Sequence, residues 1–431
     1  MNILGTAEKA LSKALKNGSD KASVAVSFVE EQVFNIDGNQ LTLSKTGFDQ
    51  SLTVKSLIDQ RQASTQGNQF DENSIHAYAE NAATQAKASP QDAANDICPA
   101  QGTHSFTNAD VEFDPERVKN LLIDLMQQRQ ELFPTIKLET SSVKFIKTKQ
   151  AFITSENTSL TSFQSHLAAV MFFTAKDGTK SSSFNYTDMA LSAIAPKGPE
   201  SLLNHADLRM MFQQSSQQVN SHKLPEKFEG DVILGPQCVF DFIHSITMYL
   251  HGQYLFTKSS FLSDKLGSAI ASPLWNLTAN PVGKGLPEHV FWTADGYLSQ
   301  NQSIIENGIL KEYRLNDYYS KKMKHAPDRS ERTNMELAAG NTSLREMISG
   351  IKKGILLNRY SGDMSENGQF AGVAKNSYYI ENGELKFPLN ETMVSGNLKN
   401  LLMDTQSISK EITDTGLWKM PWVHVKGITV S

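Results

Sequence analysis

The chain opens on a helical spacing. Ile3, Leu4, Ala7, Ala10, Leu11, Ala14 and Leu15 recur every three or four positions and stop at Gly18, which predicts an amphipathic helix over 1–17 with one apolar face. From Ala22 to Phe34 the period changes to two, with Val24, Val26 and Phe28 on one side of a strand. Asp37-Gly38 is a turn signal, and Gln40 to Ser44 returns as a second strand. Asp71 or Asn73 can cap a helix running to about Ala88, whose stripe is Ile75, Ala79, Ala82, Ala83 and Ala86; Pro90 ends it. The stretch from Ser89 to Thr107, rich in Pro, Ala, Gly and Asn, reads as a linker across the domain surface.

A second unit begins at Asp114-Pro115-Glu116, a capping residue followed by proline at the first helical position. Val118, Leu121, Leu122, Leu125 and Met126 then form an apolar face down to Leu132. Strands are expected at Ser142–Thr148, His166–Ala175 and Thr179–Asn185, the last two joined by Asp177-Gly178, with a helix near His205–Ser221. Hairpins bracketed by helices imply antiparallel pairing more than βαβ crossovers. From Phe228 the character changes again. A strand at Asp231–Leu234 turns through Gly235-Pro236-Gln237 into a long helix from about Cys238 to Phe256, and short strands with hairpin turns follow. Ile305-Glu306-Asn307-Gly308 and Ile380-Glu381-Asn382-Gly383 resemble each other, either as an internal repeat or because any type I′ hairpin favours such a sequence.

These patterns give an α+β fold class. An N-terminal unit of helices and antiparallel sheet spans 1–108, a middle α+β unit spans 109–226, and a β-rich domain with one long helix at its start spans 227–431. A length of 431 residues suits two or three domains at roughly 100–200 residues each.

Composition narrows the function. The net charge of −5 offers no basic face for a nucleic-acid backbone and no polybasic membrane anchor. No stretch approaches the roughly 18 apolar residues of a membrane span, and the first helix lacks the build of a signal peptide. A cytoplasmic protein is expected. Two cysteines, Cys98 and Cys238, exclude a disulfide framework and any zinc site built on paired cysteines.

The candidate chemistry lies in the helix from Cys238 to Phe256. Zinc peptidase motifs place two histidines four apart on one helix face with a glutamate beside the first. Here His244 and His251 stand seven apart, about 10.5 Å along a helix axis, and the helix has no glutamate. Neither metal nor other cofactor is expected, and the bland reading of both imidazoles is structural. Cys238 sits near the first turn, where the helix dipole would lower a thiol pKa. It is read either as a nucleophile or as a small buried hydrophobe. Asp241, three residues on, would act against a thiolate, and no histidine base can be assigned to it. No nucleophile elbow, phosphate-binding loop or dinucleotide fingerprint is present.

Ordered blocks in the C-terminal half resemble the TldD/PmbA family, and within it the PmbA (TldE) branch. They are Ser259-Ser260-Phe261-Leu262-Ser263-Asp264-Lys265-Leu266-Gly267, Glu306-Asn307-Gly308-Ile309-Leu310-Lys311-Glu312-Tyr313, Asp317-Tyr318-Tyr319-Ser320, Gly340-Asn341-Thr342-Ser343, and Tyr379-Ile380-Glu381-Asn382-Gly383-Glu384 running through Pro388 into Ser395-Gly396-Asn397-Leu398. The N-terminal half agrees more loosely.

The resemblance implies cytoplasmic dimers in which a TldD-type subunit carries zinc and cleaves peptides, while a PmbA-type subunit lacks the metal site. Older naming provisionally calls the family modulators of DNA gyrase; the acidic composition does not support direct DNA binding. The TldD motif is His-Glu-x-x-x-His, with a later cysteine as third ligand. Anchored on Gly252 and Ser259-Ser260-Phe261, it puts Ile243, His244 and Met248 at the His, Glu and second His positions. A slip of one residue would make His244 a ligand, with Ser245 and Tyr249 in the other two places. No cysteine follows Cys238 in this sequence.

The function expected on these grounds is that of a zinc-free PmbA/TldE-type subunit in proteolysis of peptides or unfolded proteins, with a TldD-like subunit or a second copy of itself as partner and a peptide as substrate. The alternatives are a self-sufficient hydrolase using Cys238 or an unrecognised site, and a homodimeric peptide-binding protein.

Overall fold

The computed structural model describes residues 2–109, 114–192, 201–390 and 392–431. It has the α+β class expected, with two large sheets and few long helices.

The helix Ile3–Lys16 is capped by Asn2, whose Oδ1 accepts from the Gly5 amide at 2.9 Å, and it buries Ile3, Ala7, Ala10 and Ala14. The helix Glu72–Ala88, capped by Asp71, buries Ile75 and four alanines. These small side chains let both helices lie close to the sheet, where Val24, Val26, Leu52 and Val54 complete their core. The sheet runs in the order Arg61–Gly67, Gln40–Ile58, Lys21–Asp37, Ser141–Thr154, Thr158–Asp177, Gly102–Asn108. Strands from 1–108 and from 109–226 therefore share one sheet, with Ser23 opposite Thr154 and Ile36 opposite Ser141. Farther along the same sheet face, larger side chains take over. Val118, Leu122 and Leu125 of the helix Pro115–Leu132 meet Phe34, Phe173 and Phe212 there.

Several strands differ from their sequence limits. Lys21–Asp37 and Gln40–Ile58 pair far beyond the alternating stretch. Residues 27–32 are half-buried on both sides, so backbone pairing continues where hydrophobic alternation has faded. The expected strand Thr179–Asn185 is displaced to Lys180–Ser181 and Asn185–Ser192. The linker region also contains a strand, Gly102–Asn108, parallel to Thr158–Asp177. Its residues are mostly exposed, so no hydrophobic period could betray it.

Residues between Ser89 and Gly102 are held down rather than loose. Asp92 meets Lys322 at 2.7 Å and accepts from the Tyr318 hydroxyl at 2.9 Å, while Asp96 takes Lys21 at 2.9 Å and Lys321 at 3.1 Å. Cys98 packs with Phe152, Leu160 and Tyr297. The helices cover one sheet face, and this segment with residues near Tyr297 covers the other.

In the C-terminal half, Phe228–Leu234 lies between Lys353–Met364, parallel to it, and Trp418–Val430, antiparallel. Gln369–Glu381 and Glu384–Asn390 extend one side; Met335–Leu337, Leu277–Ala279 and Gln302–Glu306 extend the other. Both look-alike segments are two-residue hairpins, closed by Glu306 opposite Ile309 and by Glu381 opposite Glu384. Asn307, Gly308, Asn382 and Gly383 all have positive φ, as type I′ turns require.

The halves meet where the Ala190 amide donates to the Thr415 carbonyl at 2.8 Å. Gly416 has φ +76°, and a Cβ there would stand 2.0 Å from the Ala190 carbonyl oxygen. Gly416→Ala is expected to destabilise the protein by about 2 kcal/mol or more, since both φ and the close approach forbid a side chain. Chemical denaturation measures the loss; an unchanged midpoint would show that this seam is not tight.

Candidate functional site

The helix expected to carry the chemistry runs from Pro236 to Tyr249. Gly235 precedes it because a Cβ there would stand 2.6 Å from the Asn358 side chain, and Pro236 occupies the first turn, where its missing N–H is not needed. One face, carrying Cys238, Val239, Phe242, Ile243, Ile246 and Thr247, is buried, with its apolar side chains in the main C-terminal core.

The expected single helix to Phe256 is broken. Leu250 ends the first helix and Gly252–Phe256 forms a separate short one. The backbone between them pairs with the chain at Arg314, whose amide donates to Leu250 O at 2.8 Å and whose carbonyl accepts from Gly252 at 3.0 Å. Gly252 lies against Tyr319, and a side chain at 252 would put its Cβ 2.4 Å from the Tyr319 Cβ. Sheet-like pairing of 250–252 with Arg314 replaces the helical hydrogen bonds.

The three motif-aligned positions do not converge. Ile243 is wholly inside the core. His244 is exposed and 6.2 Å from the Phe240 ring. Met248 is 39% exposed, with its sulfur 3.8 Å from Nη1 of Arg314. Ser245, in the slipped register, donates its hydroxyl to the Asp241 carbonyl at 3.0 Å, while Tyr249 is half-buried against Phe261. Zinc needs donors gathered within about 2.0–2.3 Å of one point. An alkyl side chain in the core, an imidazole and a distant thioether do not supply them, so these residues do not fit the metal. Among the described residues no group of three or more His, Cys, Asp or Glu side chains is placed to hold an ion.

Cys238 is fully buried, and desolvation followed by the charge of Asp241 pushes its thiol well above the ordinary range. A reactive cysteine needs exposure and a lowered pKa; both are reversed here. Asp241 is itself pushed up to about 6, chiefly by burial. Cys98 is buried too, its thiol raised to about 11 first by desolvation.

His244 and His251 open into separate cavities. His251 caps the short helix by accepting from the Gln253 amide at 3.3 Å. It faces a polar cavity of about 230 Å³ with Asp295, Arg314, Asp328 and Glu331. His244 opens into a cleft of about 360 Å³ at the seam of the two halves, walled by Asp188, Phe240, Glu288, Arg332 and Trp418 among others. Phe240 and Trp418 stack at 5.2 Å. Behind Glu288 lies buried His166, with Nε2 3.7 Å from the carboxylate. Burial lowers the basicity of His166, opposed by Glu288. Sequence reasoning found His244 alone of these residues. Asp188, Glu288 and Arg332 come from three distant segments with no shared motif, so spacing held no signal for them.

Residues 227–431 match the family model described as the PmbA/TldA metallopeptidase C-terminal domain, so this part of the chain is similar to the TldD/PmbA family. It is 30% identical over 201 residues to a zinc metalloprotease TldD homolog of Saccharolobus solfataricus, covering 43% of this chain and 45% of that protein. It is 26% identical over 200 residues to a metalloprotease PmbA homolog of Buchnera aphidicola, covering 45% and 44%. The chain thus spans less than half the length of these two relatives in alignment. The crystal structure of TldE from Thermococcus kodakarensis shares the fold, with TM-score 0.84, 17% identity, and coverage of 99% of this chain and 100% of that one. No helix among the described residues is long and apolar enough to cross a membrane.

Two outcomes follow from the buried helix face. Neither cysteine should react with a thiol reagent such as Ellman's reagent in the native protein, and both should react after denaturation; rapid native labelling would contradict the packing. The Asp241 carboxyl, near 3.8 when free and about 6 when folded, favours the folded state when protonated. Its contribution is complete below about pH 4 and is lost as pH rises through 6. Asp241→Asn should therefore gain about 1–3 kcal/mol over the parent at pH 8 and little at pH 4, which urea melts at the two pH values check.

Proposed function

We propose that this chain serves proteolysis as a zinc-free, PmbA/TldE-type subunit that binds peptide and completes the active site of a TldD-like, zinc-bearing partner. The observation that carries this reading is the set of side chains at the motif positions: Ile243 in the core, His244 alone at the cleft, and Met248 beside Arg314. A helix in the catalytic place, without donors that converge, suits a subunit that shapes a site rather than one that performs the cleavage. The cleft beside His244 has the aromatic and apolar wall with a few polar groups typical of sites for small organic groups. A peptide lying in it could add main-chain hydrogen bonds along a sheet edge, a mode that tolerates many sequences. Assembly as a dimer, and a cytoplasmic setting, belong to the same proposal.

Purified protein is expected to hold far less than one zinc per chain, and His244→Ala should leave that content unchanged. Stoichiometric zinc lost on His244→Ala would sink the reading. Peptide cleavage should appear only on mixing with a TldD-like subunit and should survive Cys238→Ala; cleavage by the chain alone that Cys238→Ala abolishes would favour a thiol hydrolase instead. Light scattering of the mixture distinguishes a heterodimer from two copies of this chain.

A further inference from the structure

Asp92 and Asp96 tie the segment before Gly102 to a short helix of the other half, Asp317–Met323. One oxygen of Asp92 takes Lys322 at 2.7 Å and the Tyr318 hydroxyl at 2.9 Å. Asp96 bridges Lys21 at 2.9 Å and Lys321 at 3.1 Å through different oxygens. Lys321 also reaches Asp317 at 2.9 Å, a buried carboxylate that accepts from the Tyr297 hydroxyl at 2.6 Å. The hydrogen bond from Lys322 is the largest of the effects that hold the Asp92 carboxyl down at about 2. Asp92 is therefore ionised throughout the neutral range, and salt, not pH, is the variable that weakens its contacts. The side chains of the Asp92–Lys322 and Asp96–Lys321 pairs are 26–34% exposed, within reach of counterions.

A helix of seven residues does not hold itself in water, because its nucleation is unfavourable and too few hydrogen bonds follow. Its position is set by what it touches. Part of its surface meets the two carboxylates. Elsewhere Tyr319 packs on Gly252, so closely that a Cβ at 252 would stand 2.4 Å from the Tyr319 Cβ, and its ring lies 6.1 Å from those of His251 and Phe256. Arg314, two residues before the capping Asn316, makes the backbone pairing with Leu250 and Gly252 that ends the motif helix. Asp295, Arg314 and Asn316 also wall the 230 Å³ cavity faced by His251, and Asp295 accepts from the Asp317 amide at 2.8 Å. One short helix thus joins the contacts between the halves to the end of the helix that carries the motif positions.

We propose that the helix Asp317–Met323 is an ionic latch: Asp92 and Asp96 hold it to the N-terminal half, and through Tyr319 and Arg314 it holds the break at 250–252, so that ionic strength sets how often the break and the cavity beside it open. Isolated surface ion pairs contribute little, whereas networks of fixed geometry contribute more. Here each carboxylate is also pinned by a backbone amide of its own segment, Ala94 for Asp92 and Ile97 for Asp96. Release of the latch is a local opening that leaves the main cores folded. It operates whether or not the chain binds peptide.

Hydrogen exchange of the full chain, read by mass spectrometry, tests the latch at the amides of Gly252 and Arg314, with the strand Trp418–Val430 as internal reference. In about 0.05 M NaCl these two amides should exchange about tenfold faster in Asp92→Asn/Asp96→Asn than in the parent. Raising NaCl to about 1 M should speed them severalfold in the parent and leave the double variant unchanged. Tyr319→Ala should speed them at either salt concentration, and adding it to the double variant should bring no further increase beyond that of Tyr319→Ala alone. The reference strand should stay protected throughout. Equal exchange at the break in parent and double variant, or a salt effect that the two share, overturns the latch. Equal acceleration of the reference strand also overturns it, since the carboxylates would then serve global stability alone.

Discussion

Burial of one face of the helix Pro236–Tyr249 sets the orientation on which the candidate site depends. Phe242, Ile243 and Ile246 are locked into the C-terminal core beneath the strands Phe228–Leu234 and Trp418–Val430. Each fully buried side chain of this size contributes about 1.5–3 kcal/mol. Successive residues on a helix point about 100° apart, so turning the helix by one residue would expose this face and bury His244. With the rotation held, His244 faces the seam, Met248 faces Arg314, and Cys238 is shut away from any substrate.

The seam itself follows from the way the halves close. The contact of Ala190 with Thr415 and Gly416 leaves no room for a side chain at position 416. It brings the strand Asn185–Ser192 close to the motif helix, so that Asp188 and His244 share one cleft. The acidic residues of the 89–101 segment meet Lys321, Lys322 and Tyr318. The tight seam and these ionic contacts together hold two separate sheets. The cleft is consequently a property of the join and belongs to neither half.

Much of the fold was legible in the sequence where one physical signal acted alone. The helical spacing of Ile3 to Leu15, the Asp114-Pro115 start and the Asn-Gly hairpins each specify local geometry, and the structure places them there. Legibility failed where backbone pairing outran side-chain pattern. Gly102–Asn108 forms a strand with almost no burial, and Lys21–Asp37 continues through half-buried residues. It also failed at His251, where pairing with Arg314 breaks a helix whose own sequence would continue.

The sequence by itself determined the family resemblance and which residue types stand at the motif positions, because both are properties of order along the chain. It also determined the separation of His244 from His251, since helical rise follows directly from residue count. Tertiary structure alone decided that Cys238 and Ile243 face inward, that His244 opens to a cleft, and that Asp188, Glu288 and Arg332 meet there. Those outcomes depend on which surfaces exclude water from one another and on how distant strands close, and such contacts leave no period or spacing to be read along the chain.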